Sequence, residues 1–188
     1  MSDSENNSQP KTIGVILFDG FETIDVYGPL GLLTSGWDGQ AHYVAVMIGP
    51  PNATSNFVLS SSKLPTPFSQ TLQWPLKEKY DVLLVPGGLG NRPLLNNREF
   101  LSTLGQVANE IIERGGTILS VCTGSIMLAA TGVLSGHQAT TNKAAFDKLT
   151  PHYDEVDWIR KARWVHDNDI ITSSGYTAGM VVLGDTVC

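Results

Sequence analysis

The chain has 188 residues, enough for one domain with a large core, and 41 % apolar against 16 % charged residues is ordinary for a globular protein. A net charge of −6 with no basic cluster points away from nucleic acid and anionic membranes, and no apolar run reaches the length of a membrane span. Two cysteines far apart make no disulfide framework, and the polar, acidic start "MSDSENNSQPK" has no apolar leader, so a reducing, cytoplasmic setting is expected.

In chain order, residues 1–11 read as a disordered tail and 12–188 as one domain. "KTIGVILF" (Lys11 to Phe18) is a first buried strand, and "TIDVYGPLGLLTSG" follows at helical spacing, with Pro29 expected to start or kink the helix. Ala41 to Gly49 is a second strand. The Ser/Thr/Pro-rich stretch Asn52 to Lys77 holds a short hairpin and extended pieces. Tyr80 to Gly88, "YDVLLVPGG", is a third strand closed by two glycines, and Asn97 to Arg114 is a long amphipathic helix ended by Gly115-Gly116. "TILSV" is the fourth strand, Thr123 to Ala130 its helix, "QATT" a brief strand and Lys143 to Leu149 a short helix. "ARWV" and "DIITSSG" form two strands about an Asp167-Asn168 turn, and "YTAGMVVLG" begins a last helix. Continuous apolar strands alternating with helices predict a three-layer, flavodoxin-like α/β domain with a mostly parallel sheet. Ligands of such sheets bind at the carboxyl ends of the strands. That rim carries Phe18-Asp19-Gly20, Pro86-Gly87-Gly88, Val121-Cys122-Thr123 and Ser173-Ser174-Gly175.

Cys122 stands where a buried strand meets a helix, followed by the small residues Thr123, Gly124 and Ser125. This is the pattern of a nucleophile elbow, a sharp turn that lifts one side chain above the sheet edge. A helix N-terminus aimed at the sulfur is expected to favour thiolate and lower its pKa. Gly87 and Gly88 let backbone approach a ligand closely, and with the Thr123 amide they are candidate donors to a developing negative charge. Asp19, Glu22 and Asp25 cluster after the first strand. A carboxyl near a thiolate is pushed toward protonation and can serve as acid and base, and the apolar neighbours Ile24 and Val26 single out Asp25. His42, His137, His152 and His166 are isolated, and no Cys/His spacing suits zinc. Trp37, Trp74, Trp158 and Trp164 read as core or lid residues, and Cys188 as an inert terminal thiol.

The segments "ILFDGFETIDVYGP", "YDVLLVPGG", "SVCTGSIMLAATGVLSGHQATT" and "ITSSGYTAG" together resemble the DJ-1/PfpI superfamily, in order and over nearly all of the chain after the tail. Within it, the Ile-Asp-x-x-Gly-Pro block and the Cys-Thr-Gly elbow resemble the isonitrile hydratase subgroup. The resemblance implies a cofactor-free, metal-free hydro-lyase that adds water to an isonitrile to give an N-formamide. Cys122 would be the nucleophile, Asp25 the acid–base carboxyl and Thr123 its partner, with Gly87, Gly88, Glu22 and Asn142 about the substrate. Peptidase-like and glyoxalase-like members carry His after the cysteine and Glu in the first block; Thr123 and Asp25 point away from them and from glutamine amidotransferases. Members usually read Ala-Thr-Thr-His where this chain reads Ala139-Thr140-Thr141-Asn142, an amide in place of a titratable ring. Members also continue through a longer last helix, so one sheet face is expected to be thinly covered or covered by a second subunit. By analogy the chain would act on a small molecule as a homodimer, with no nucleic acid or membrane partner. The alternatives from other classes are a redox sensor in which Cys122 is oxidised, and a degenerate homologue that only binds.

Overall fold

The computed structural model describes residues 10–35 and 43–186, with side-chain surroundings defined as far as Val181. Residues 1–9 of the expected tail, Trp37, His42 and Cys188 lie outside the described residues, and Lys11, counted with the tail, opens β1. In chain order the elements are β1 (Lys11–Ile16), α1 (Thr23–Ser35), β2 (Tyr43–Gly49), β3 (Phe57–Leu59), β4 (Pro65–Pro67), β5 (Gln70–Thr71) and β6 (Val82–Val85). There follow α2 (Asn91–Leu94), α3 (Arg98–Glu113), β7 (Thr117–Val121), α4 (Gly124–Ala130), β8 (Gln138–Ala139) and α5 (Phe146–Leu149). The last are β9 (Asp157–Trp158), β10 (Trp164–Asp167), β11 (Ile170–Ser173) and α6 (Tyr176–Thr186).

The main sheet has seven strands in the order β10-β11-β7-β6-β1-β2-β5. All neighbours pair in parallel except β10, which runs antiparallel to β11 at the edge. Ile13, Val15 and Ile16 of β1, Leu83 to Val85 of β6, and Ile118, Leu119 and Val121 of β7 are fully buried. These side chains on both sides of the sheet explain the continuous apolar runs. Helices α1 and α6 pack on each other and against β2, β7 and β11, while α3 packs with α2 and α4 against β6 and β7. Helix α3 follows from a stripe of Phe100, Leu104, Val107, Ala108 and Ile111 at helical spacing, with Asn97 Oδ1 accepting the Phe100 amide at 3.1 Å as its N-cap. The architecture is the flavodoxin-like α/β fold expected from the sequence.

Pro29 does not start the helix: α1 begins six residues earlier, at Thr23, and runs through the proline. Proline is tolerated there at the cost of the N–H that would otherwise bond the carbonyl of Asp25. The early start places Asp25 in the first turn of α1, facing inward. The strand order reverses between β1 and β6, so a crevice opens at their carboxyl ends. The turn after β1, the glycines after β6 and the cysteine after β7 all meet there.

Candidate active site

Cys122 has φ +58°, the left-handed region that costs a residue with a Cβ about 1–2 kcal/mol. Its backbone is held from both ends. The Cys122 amide donates to the Ser173 carbonyl at 2.9 Å, and the Cys122 carbonyl accepts from Thr141 Oγ1 at 3.1 Å and Ser125 Oγ at 3.3 Å. The end of β11 thus holds the amide, while α4 and the segment just after β8 hold the carbonyl; β8 covers only Gln138–Ala139, so Thr140 and Thr141 of the expected "QATT" strand lie beyond it. The elbow read from "SVCTGS" is present, and the thiol is half-buried.

Asp25 reaches this point from the other side of the crevice. Its side chain is 1 % exposed, and Oδ2 accepts the Gly87 amide at 3.1 Å. Gly87 lies so close to the elbow that a Cβ there would stand 2.7 Å from the Thr123 nitrogen and 2.8 Å from Cys122 Cβ. Gly88, at φ +125°, turns its amide to Thr123 Oγ1 at 3.3 Å. The expectation that these amides stand as free donors for a substrate charge is therefore corrected. The Gly87 amide is spent on the acid and the Gly88 amide on the threonine.

Burial pushes the Asp25 carboxyl up to about 7, with the Glu22 charge adding to the rise; the Gly87 amide and the Cys122 thiol, as donors, oppose it. Burial likewise pushes the Cys122 thiol up to about 11, with the Asp25 charge adding to it. Donors to the sulfur resist this: the Thr123 amide, the Asn142 side chain and the Thr123 hydroxyl. The expected low-pKa thiolate is thus corrected. Desolvation and then the neighbouring carboxylate set the direction of the shift, and helix α4, which starts beside the sulfur, has only seven residues. At rest the sulfur keeps its proton, and the carboxyl beside it titrates near neutrality.

Asn142 is oriented by its own backbone. Its Oδ1 accepts the Ala144 amide at 3.0 Å, which leaves the NH₂ group to face the sulfur. Glu22 is half-buried at the start of α1, with its amide on the Gly87 carbonyl at 2.8 Å. Its charge acts on Asp25, three residues further along the chain, whose amide donates to the Glu22 carbonyl at 3.1 Å. Asp19 is exposed and accepts the Leu59 amide at 2.8 Å, pinning the β3–β4 hairpin to the rim. Cys122, Asp25, Thr123, Gly87, Gly88, Glu22 and Asn142 thus fall in one place. Of the other candidates, His137 pairs with Asp167 at 3.2 Å on the β10 side, Trp74 is exposed, and Trp158 and Trp164 pack against the core. Among the described residues no cluster of His, Cys, Asp or Glu could hold a metal ion.

Sequence reasoning placed Ser173 on the rim but passed over Asn91 and Thr141 as participants. Asn91 is 3 % exposed, and its Nδ2 donates to Thr123 Oγ1 at 2.7 Å and to the Thr123 carbonyl at 3.1 Å. An Asn in a glycine-rich loop reads as a turn former, and no spacing rule marks it.

Comparison with known proteins shows the family and the fold. The family model for the DJ-1/PfpI family matches residues 11–185. The chain belongs to the DJ-1/PfpI family. It is 34 % identical over 168 residues to the isonitrile hydratase of Pseudomonas putida, covering 89 % of this chain and 67 % of that enzyme. It is also 32 % identical to Drosophila melanogaster protein dj-1beta over 98 residues, which span 52 % of this chain and 49 % of that protein. Among solved structures, a DJ-1 superfamily protein of Salmonella typhimurium superposes with a TM-score of 0.76 at 20 % identity, covering 94 % of this chain and 90 % of that one. The DJ-1/PfpI fold is therefore carried over the whole described chain. Among the described residues no helix is long and apolar enough to cross a membrane.

Proposed function

We propose that this DJ-1/PfpI protein is a cofactor-free hydro-lyase that adds water to an isonitrile and releases an N-formamide. The observation that carries the reading is the pairing of a buried carboxyl, pushed up to about 7, with the thiol of a strained elbow. An acid–base group is most effective when its pKa lies near the working pH. The 34 % identity to a named isonitrile hydratase supports the same choice.

The chemistry then balances as follows. Asp25, as carboxylate, takes the thiol proton as sulfur attacks the isonitrile carbon, and delivers that proton to the carbon. The product is a thioimidate, Cys122–S–CH=N–R. Water adds to its carbon, with one water proton passing through Asp25 to nitrogen. Collapse of the resulting adduct forms the C=O bond of the formamide and breaks the C–S bond, and the hydroxyl proton returns to sulfur through Asp25. Donors from Thr123 and Asn142 hold the sulfur as negative charge grows on it. A redox-sensor role would rest on a readily formed thiolate. The raised thiol weighs against that role.

We further propose that the chain works as a homodimer through α1 and α6. Ile24, Tyr27 and Leu32 of α1 and Tyr176 and Val181 of α6 are 37–46 % exposed. Asp25 is the only charge in α1 and points inward, and Tyr176 to Val181 carry none. Adjacent helices with uncharged, apolar outer surfaces are the pattern of a covered interface.

The test of the activity is direct. Wild type should convert a simple alkyl isonitrile to its N-formamide, and Cys122→Ser should not. Failure of wild type on alkyl and aryl isonitriles alike would remove the reading.

A further inference from the structure

The hydroxyl of Thr123 is constrained more tightly than its neighbours. A hydroxyl oxygen has one hydrogen to donate and two lone pairs to accept with. Both acceptor positions of Thr123 Oγ1 are taken, by Asn91 Nδ2 at 2.7 Å and by the Gly88 amide at 3.3 Å. The orientation of the Asn91 amide is not free to reverse. The same Nδ2 donates to the Thr123 carbonyl at 3.1 Å, and turning the amide over would set oxygen against oxygen. Asn91 is itself nearly fully buried, so water cannot readily substitute for it. That leaves the hydroxyl hydrogen to donate, and Cys122 is close by: a single point above Gly87 lies 2.8 Å from both Thr123 Oγ1 and Cys122 Cβ, and the Thr123 hydroxyl is among the donors that hold the thiol down.

We propose that Asn91 is a positioning residue that fixes the Thr123 hydroxyl as a donor toward the Cys122 sulfur and the atoms reacting on it. This rests on the reading of Cys122 as the nucleophile. Asn91 touches neither sulfur nor substrate; it acts by occupying the lone pair through which Thr123 could otherwise turn away. Without Asn91 the hydroxyl can rotate and spend its hydrogen elsewhere, and the sulfur loses one of its donors. The placement also gives the Gly-Gly loop after β6 a function: Gly88 supplies the second of the two bonds that aim Thr123.

The test reads the sulfur without using an isonitrile. Alkylation of Cys122 by iodoacetamide is followed against pH by site-resolved mass spectrometry in the full chain. Asn91→Ala and Thr123→Val should each slow it by about three- to tenfold below the thiol pKa, the loss expected for one hydrogen bond to a charged atom. The double variant should be no slower than Thr123→Val alone, because the two residues act through one hydroxyl. Additive losses in the double variant, or an unchanged Asn91→Ala rate, would overturn the proposal. If Asn91→Ala does not fold, Asn91→Leu keeps the volume and removes the same donor. Alkylation that follows this pattern in a protein without isonitrile turnover would leave Asn91 in its role and remove only the hydratase reading.

Discussion

Asp25 and Cys122 shift each other in opposite directions across the crevice at the carboxyl ends of the strands: the carboxylate raises the thiol, the thiol as a donor holds the carboxyl down, and burial leaves the carboxyl at about 7 and the thiol at about 11. Each is deprived of water, and the charge of the carboxylate opposes that of a thiolate. Reactivity of the sulfur is therefore governed first by burial and then by the neighbouring carboxylate.

The first consequence concerns alkylation. In wild type the rate at Cys122 should climb with pH through the whole range from neutrality toward pH 11, with no plateau near pH 7. Asp25→Asn removes the opposing charge and should speed alkylation at about pH 8 by roughly threefold or more. Site-resolved mass spectrometry measures both. A plateau near neutrality in wild type would show a thiolate already formed and would undo the assignment of a raised thiol.

Stability should carry the mark of the same burial. The folded pKa of Asp25 is raised from 3.8 to about 7, so between these values the folded state holds a proton that the unfolded state has released. Stability therefore falls as pH rises from about 4 to 7, by on the order of 4 kcal/mol from this group alone. Asp25→Asn lacks the term. Urea denaturation should find it more stable than wild type at pH 8, with the gap closing toward pH 4. An equal gap at both pH values would mean that Asp25 is not strained by ionisation.

Much of this arrangement was legible in the residues, and the reasons differ by element. The strand at Thr117–Val121 was readable to the residue because both faces are buried and a cysteine, threonine and glycine end it. Helix α3 was readable because one apolar stripe, an Asn cap and two glycines agree. Asp25 stood out by its apolar neighbours. The start of α1 was not legible, since a proline at its seventh position argues locally for a boundary that packing overrides. The thiol pKa was not legible either, because the helix effect is local while desolvation and the Asp25 charge come from residues 97 positions away in sequence. Asn91 was hidden for the same reason: its role exists only once β6 and β7 stand side by side.

Asn142 stands where the resemblance led to an expectation of histidine. With Oδ1 held by the Ala144 amide, it can only donate to the sulfur. Asn142→Asp replaces that donor with a charge and should slow turnover by about tenfold or more. Asn142→His should retain most of the activity, since a ring can accept from Ala144 with one nitrogen and donate with the other. Steady-state rates decide. Full activity in Asn142→Asp would place the amide outside the reaction.

The α1/α6 surface should be an interface between two copies. Sedimentation equilibrium is expected to give a mass of two chains, and Tyr27→Glu together with Val181→Glu should reduce it to one, because two buried like charges per copy are not tolerated. A monomer in wild type at every concentration would exclude this arrangement.

In the proposed reaction Asp25 moves the protons of hydration. Asp25→Asn keeps the shape, and its oxygen can still accept the Gly87 amide. The decisive measurement is steady-state hydration of an alkyl isonitrile by wild type, Asp25→Asn and Glu22→Gln, with circular dichroism as the control for folding. Asp25→Asn should fold and lose on the order of 10²-fold or more in rate, the usual contribution of a general acid–base, while its sulfur alkylates faster. Glu22→Gln should keep most of its rate. Normal turnover by Asp25→Asn beside an inactive Glu22→Gln would move the proton chemistry to Glu22 and contradict the account.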